Sequence, residues 1–218
     1  MKLVEINQKI SKIKTESREA ELHEATVNPS PFEQFLTWFD EALEITTDDP
    51  SAMVLSTVDD NNWPDARVVL LKELDVNQFI FYSNYNSKKA KQLAKNNIAA
   101  LNFHWPQLAR QVRIRGRVEK IEQAKSAAYF SMRPRQAQLS VYASAQSSII
   151  LKRAELEERI KYFSEKFEGH AIPCPPNWGG YTVLPFEYEF FQGRKWRIHD
   201  RLLYTVSNET WKIVRLSP

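Results

Sequence analysis

The spacing of apolar and polar positions changes along the chain, and the changes mark its elements. Phe32, Phe35, Leu36, Phe39 and Leu43 recur at helical spacing, which gives one apolar face and predicts a helix packed on a core. Ser30-Pro31-Phe32-Glu33 starts it with an N-cap residue, a proline at the first helical position and a glutamate placed for a capping box. From Ala52 the period shortens. Residues 52–58, 66–74 and 78–83 are short runs rich in Val, Leu, Ile and Phe, separated by Asp59-Asp60-Asn61-Asn62 and Asp75-Val76-Asn77, the pattern of an antiparallel meander with tight turns. A brief basic helix over 87–95 follows, then strands over 98–104 and 110–121, and helices near 122–132 and 148–167. Pro173, Pro175 and Pro176 interrupt the chain, and Trp178-Gly179-Gly180 leads into strands near 181–191, 196–204 and 211–216. Strands outnumber helices and run mostly as hairpins, so the expected fold is mainly β with α (α+β). The natural architecture is a closed or nearly closed antiparallel barrel with inserted and flanking helices, not a parallel α/β sheet.

Composition narrows this further. At 218 residues and 43% hydrophobic content the chain can bury one core, while two full-sized domains would be cramped. Residues 1–28, rich in Lys, Glu and Ser with weak periodicity, read as a loosely held tail or lid before one domain over 29–218. No apolar run approaches the roughly 20 residues of a membrane-spanning helix, and residues 1–14 lack a signal peptide's apolar stretch, so a cytoplasmic protein with no membrane partner is expected. One cysteine, Cys174, and four scattered histidines show no metal-ligand spacing; the expectation is no metal, and an organic cofactor for any redox chemistry. A net charge of +3 is too mild for a dedicated nucleic-acid binder. Five glycines, with no dinucleotide fingerprint and no P-loop, leave any phosphate to be held mainly by side chains.

Several segments carry chemistry suited to anions. Arg67-Val68-Val69-Leu70-Leu71-Lys72 sets a guanidinium and an ammonium five positions apart, on opposite faces of an ideal strand unless a bulge intervenes; alone, the segment reads more simply as two strand-end cations reaching to water. Tyr82-Ser83 precedes a helix start with Ser87 as its cap and Lys88 and Lys89 beside its free N–H groups, an anion site as readily as a solvated basic face. Gln111, Arg113, Arg115 and Arg117 share one strand face, where cross-strand ion pairs best account for the arginines. Tyr129 and Arg133 are four apart on a predicted helix and so share a face, although by themselves they read more simply as a core aromatic beside a surface arginine, and Gln146-Ser147 likewise reads as a helix cap. The most pointed cluster is Arg197-Ile198-His199-Asp200-Arg201. Read as a strand, it puts Arg197, His199 and Arg201 on one face, an arrangement that points to a bound anion between them ahead of a polar barrel face neutralised by Asp200 or Glu187.

Taken in order, these segments resemble the pyridoxamine 5'-phosphate oxidase family from about Pro31 to the terminal Arg215-Leu216-Ser217-Pro218, with Arg-x-His-Asp-Arg after Phe-Gln-Gly as the most specific mark. The resemblance implies an FMN-binding split β-barrel and a homodimer with FMN in clefts between subunits. By matching positions it makes Arg67, Val68, Val69, Leu70, Leu71, Lys72, Tyr82, Ser83, Lys88, Lys89, Gln111, Gln146, Ser147, Phe191 and Arg201 cofactor contacts. Lys72, Tyr129, Arg133, Arg197 and His199 become substrate contacts, with Arg197 and His199 the catalytic pair. The implied reaction removes a hydride from C4' of pyridoxamine or pyridoxine 5'-phosphate to flavin, then passes electrons to O2, giving pyridoxal 5'-phosphate and H2O2; alternatives are a non-catalytic FMN or pyridoxal phosphate binder, or a split-barrel flavoprotein with another substrate. Three positions depart from the family's pattern: Lys88 stands where Arg is usual, Ala137 where Ser is usual and Phe191 where Trp is usual. The N-terminal tail also lacks the Arg-x-x-Tyr and Gly-Gly pattern associated with the family's lid.

Overall fold

Helix α1 (Pro31–Ile45) begins at Ser30, whose carbonyl accepts from Gln34 N–H (3.0 Å) and whose hydroxyl accepts from Glu33 N–H (3.4 Å), so the expected N-cap forms. Its buried face is Phe35, Trp38 and Ala42, flanked by half-buried Phe32, Leu36 and Phe39. Leu43 faces solvent and Trp38 takes the buried position instead. The computed structural model describes residues 6–7, 20–45, 48–207 and 210–218.

Among the described residues nine strands form one antiparallel sheet: β1 (Ala52–Val58), β2 (Pro64–Leu70), β3 (Glu73–Asp75), β4 (Gln78–Asn84), β5 (Ile98–Trp105), β6 (Arg110–Lys120), β7 (Trp178–Gln192), β8 (Asp200–Ser207) and β9 (Thr210–Leu216). The path runs β2-β1-β5-β6-β7-β4-β3, with β8 on β7 and β9 on β8. β7 divides the molecule: its first half pairs with β4 and its second half with β8, while β6 pairs with it from Tyr181 to Gln192 across a register shift at Arg115/Gly116. The sheet curls until the chain leaving β2 bridges its two ends. Leu71 N–H donates to Ser51 O beside β1, and Lys72 N–H donates to Ile80 O on β4, both at 2.9 Å. No ladder joins β2 to β3 among the described residues, so the barrel is split there.

α1 plugs the barrel. The Phe35 ring lies 4.8 Å from Phe79 and 5.0 Å from Phe103, and all three are fully buried with Tyr188 and Phe190. Truncating such a ring to alanine costs about 3–5 kcal/mol. Between β6 and β7 the chain forms α3 (Gln123–Met132), α4 (Arg135–Ala143) and α5 (Ala154–Lys166), which cover a smaller core of Phe130, Leu139, Ile172 and Trp178. A further helix, α2 (Lys88–Lys95), follows β4.

Four expectations are corrected. α4 has no counterpart in the apolar pattern, because its inward face is Gln138, Leu139 and Ala143 and only one of these is large and apolar. α5 starts at Ala154, not near 148. β8 starts at Asp200, not near 196, because Trp196 (φ 56) and Arg197 (φ 62) adopt left-handed conformations that end any extended run. Residues 20–28, grouped with the tail, are held against the barrel. Leu22 is buried in the main core, and Asn28 O accepts from Tyr204 Oη at 3.0 Å. Of the rest of the tail, residues 1–5 and 8–19 lie outside the described residues.

Candidate functional site

A cleft of about 830 Å³ opens where the barrel is split, between β2, β4, the start of α2 and the α3–α4 region. Arg67, Val68, Val69, Leu70, Lys72, Tyr82, Ser83, Lys88, Lys89, Tyr129, Arg133, Gln146 and Ser147 all line it. Leu71 does not; its side chain turns into the core. Arg67 and Lys72 share the cleft although an ideal strand would oppose them, because β2 ends at Leu70 and the chain crosses to β4 through Leu71-Lys72. Of the residues departing from the family pattern, Lys88 lines the cleft and Ala137 does not; α4 presents Ser140 and Val141 there.

One wall is cationic. Ser87 caps α2, its hydroxyl accepting from Ala90 N–H at 3.4 Å, and the start of that helix lies beside the cleft. Lys89 is buried, with Nζ 3.1 Å from Ser83 Oγ and 3.5 Å from Ser87 Oγ. Burial pushes its ammonium below the ordinary lysine value, the like charge of Arg67 adds to this, and Asp65 opposes it. The Gln146-Ser147 turn closes over the helix start. Gln146 Oε1 accepts from Ser83 Oγ and from Asn84 N–H, both at 3.4 Å, and Ser147 Oγ accepts from Lys88 N–H at 3.2 Å.

The facing wall is aromatic. Tyr82 and Tyr129 stack at 3.9 Å between centroids with planes 10° apart, and Trp178 continues the stack 5.3 Å from Tyr82. The Arg133 guanidinium lies 4.8 Å from the Trp178 centroid, within range for a cation–π contact. Arg133 is the extended cap residue after α3 and not a helical residue. It is held there because Gln138 Nε2 donates to the carbonyls of Phe130, Ser131 and Arg133 at 3.0–3.1 Å. Two buried polar atoms in this wall have no protein partner among the described residues: Tyr82 Oη and Arg133 Nη1. Burial raises the Tyr82 phenol to about 12 and lowers the Arg133 guanidinium from its usual value, so Tyr82 stays a neutral donor. Trp178 was missed in the sequence, where Trp-Gly-Gly was read only as the entry to a strand. Ring size beside two glycines was the available signal.

The remaining predicted residues lie elsewhere on the chain. Gln111, Phe191 and Arg201 sit directly opposite one another across β6, β7 and β8 and so share a face. The His199 ring packs 4.8 Å from Phe191. Arg197 is exposed on a 3₁₀ turn, so Arg197, His199 and Arg201 do not form one strand face as expected. Arg201 is engaged within the chain, with Nε 2.9 Å from Glu189 Oε1 and Nη1 2.9 Å from Ser217 O. Cross-strand ion pairs, expected for Arg113, Arg115 and Arg117, form for the first two, with Glu189 and Glu187; Arg117 has none among the described residues. Asp200 anchors the turn's far end, accepting from Arg194 (3.1 Å), Arg215 (2.6 Å) and Leu22 N–H (3.2 Å). Burial works to raise its carboxyl, but these donors hold it below the ordinary value.

Comparison with known proteins fixes the lineage. Residues 39–167 match the family described as "Pyridoxamine 5'-phosphate oxidase", and residues 178–218 match "Pyridoxine 5'-phosphate oxidase C-terminal dimerisation region". The chain belongs to the pyridoxamine 5'-phosphate oxidase family. A pyridoxine/pyridoxamine 5'-phosphate oxidase of Legionella pneumophila is 48% identical over 209 residues, covering 96% of this chain and 97% of that protein. One from Nostoc punctiforme is 50% identical over 198 residues, covering 90% and 92%. Among solved structures, PhzG from Burkholderia lata 383, in complex with tetrahydrophenazine-1-carboxylic acid, superposes with a TM-score of 0.87 at 24% identity, covering 93% of this chain and all of that one. That likeness establishes the split-barrel fold.

Within the pyridoxamine 5'-phosphate oxidase family, the stretch matched as the dimerisation region contains Phe191, Arg197, His199 and Arg201. The chain thus carries two groups of candidate residues, one lining the cleft and one on the face of β6–β8 within or beside that region. The cleft suits a flat anionic cofactor. It has stacked rings, three cationic side chains at a helix start, and unpartnered Tyr82 Oη and Arg133 Nη1.

Proposed function

We propose that this chain is an FMN-dependent oxidase converting pyridoxamine or pyridoxine 5'-phosphate to pyridoxal 5'-phosphate, with O2 as acceptor and H2O2 as by-product. Its working form is a homodimer in which a second copy completes each cleft with its Gln111, Phe191, Arg197, His199 and Arg201. The observation carrying this reading is the pairing of cationic groups in one cleft. Arg67, Lys88 and Lys89 gather at the start of α2, and Arg133 lies on the Tyr129–Trp178 side. Two phosphorylated molecules, cofactor and substrate, need two anion sites.

Bound flavin supplies the hydride acceptor and the route to O2, and the protein supplies binding and orientation. Arg67, Lys88 and Lys89 hold the cofactor phosphate, and Ser83, Gln146 and Ser147 hold its polar chain. Arg133, Tyr129 and Lys72 hold the substrate phosphate, and the second copy's Arg197 and His199 fix the pyridine so that C4' faces the flavin.

The test is direct. Purified, FMN-loaded protein receives pyridoxamine 5'-phosphate, then pyridoxine 5'-phosphate, while peroxide and pyridoxal 5'-phosphate absorbance are followed. Turnover on either is expected; bound flavin with no turnover on both would overturn the oxidase assignment. Arg197→Ala is expected to lose most turnover while staying yellow, and Arg67→Ala to lose flavin.

A further inference from the structure

Behind the cationic wall lies a buried polar network whose inner members do not line the cleft. Thr57 on β1 is 1% exposed and Gln92 on α2 is 5% exposed, and Thr57 Oγ1 donates to Gln92 Oε1 at 2.7 Å. Both reach Arg67. Its Nη1 donates to Thr57 Oγ1 at 2.6 Å and to Leu55 O at 3.1 Å, and its Nη2 donates to Gln92 Oε1 at 3.3 Å. Asp65 closes the circuit, with Oδ2 2.8 Å from Arg67 Nη2, 3.2 Å from Gln92 Nε2 and 3.0 Å from Lys88 Nζ.

A guanidinium has five N–H donors. Here the four on Nη1 and Nη2 are taken by Leu55, Thr57, Gln92 and Asp65, leaving Nε–H without a partner among the described residues. The Gln92 amide can face only one way. Turned over, its NH2 would meet the Arg67 and Thr57 donors, and its oxygen would meet the Asp65 carboxylate. A buried hydroxyl and a buried amide oxygen that both accept from one arginine, and are themselves tied to each other, fix its plane.

We propose that Thr57 and Gln92 are positioning residues for cofactor binding: with Asp65 they lock the Arg67 guanidinium so that the anion side of the cleft is set before the cofactor arrives. The inference rests on the reading of this cleft as the FMN site. Pre-organisation lowers the ordering cost of binding, so removing it weakens FMN and leaves the chemistry of the loaded enzyme alone. Asp65 also bridges Arg67 and Lys88, balancing two cations that would otherwise repel across the wall.

The experiment measures FMN affinity by quenching of flavin fluorescence on titrating apoprotein, for wild type, Thr57→Val, Thr57→Ser, Gln92→Met, Arg67→Lys and the double variant Thr57→Val/Arg67→Lys. Thr57→Val keeps shape and removes the hydroxyl. It is expected to raise Kd about tenfold or more, the scale of a hydrogen bond to a charged group, while Thr57→Ser stays near wild type. In the Arg67→Lys background the same change is expected to add little, since neighbours acting through one group are not additive. Thermal unfolding of each apoprotein reports folding separately. If Thr57→Val does not fold, Gln92→Met is read by the same criteria. Wild-type affinity in the folded variants, or an equal loss in the Arg67→Lys background, overturns this inference and leaves the functional reading standing. A wild-type chain that binds no FMN overturns both.

Discussion

The backbone N–H of Arg194 donates to Nδ1 of His199 at 3.0 Å. An accepting Nδ1 leaves the proton of a neutral imidazole on Nε2, so His199 presents an N–H donor away from the loop that holds it. Arg194 is itself tied down through Asp200 at 3.1 Å and Glu21 at 2.5 Å, which couples the ring's orientation to the 20–24 segment.

That tautomer makes a choice between two amide replacements. The amide of Gln reaches the place of Nε2 and that of Asn the place of Nδ1, so His199→Gln is expected to keep more turnover than His199→Asn. The loss with Asn is about ten- to hundredfold, the scale of one hydrogen bond to a charged or developing charge. Steady-state rates of the two variants, each checked for full flavin content, decide the matter. A better Asn enzyme would mean that His199 acts through Nδ1 and that its bond to Arg194 breaks in the working state.

Much of the fold was legible because alternation is a strong signal where one face is buried. β1 alternates half-buried and buried along its whole length, with the bounds the pattern predicted. The site was legible as a set of residues but not as an arrangement. Arg67 and Lys72 meet because the chain crosses the split at Leu71, a tertiary event that local spacing does not encode. Arg197 leaves the strand because Trp196 and itself take positive φ, a conformation neither residue type favours. Thr57 and Gln92 were invisible because their role lies in partners 10 to 35 positions away in sequence.

Lys89 gives the cleft a pH dependence. Burial and neighbouring Arg67 push its ammonium below the ordinary value of 10.5, while Asp65 opposes this and the Ser83 and Ser87 hydroxyls accept hydrogen bonds from it. Phosphate binding needs the charged form. Affinity for FMN is therefore expected to be complete below the lowered value and to begin declining as pH rises through it, at a pH below 10.5. Lys89→Met is expected to bind FMN about ten- to hundredfold more weakly at neutral pH and to lose this alkaline component. Fluorescence titrations across the alkaline range, compared between wild type and Lys89→Met, isolate it from titration of the flavin. An identical slope in both proteins would remove Lys89 from the binding site.

Trp178 supports Arg133 in a different way, by offering a ring face instead of a hydrogen bond. The guanidinium sits 4.8 Å from its centroid, and the ring is near-parallel to Tyr129, 7° between planes. A desolvated cation–π contact is worth about 1–2 kcal/mol, or roughly five- to thirtyfold in an equilibrium constant. Trp178→Leu is expected to raise KM for the phosphorylated substrate by that factor, with kcat of the flavin-loaded enzyme changed much less. Trp178→Phe, which keeps a ring face for Arg133, is expected to recover most of the loss. Both substitutions shrink a 5% exposed residue and so lower stability through the space they leave, by about 2 kcal/mol or more for Leu; thermal unfolding measures that cost independently. If KM stays at the wild-type value in a folded Trp178→Leu enzyme, Arg133 is positioned by the Gln138 cap alone and the aromatic stack serves only packing.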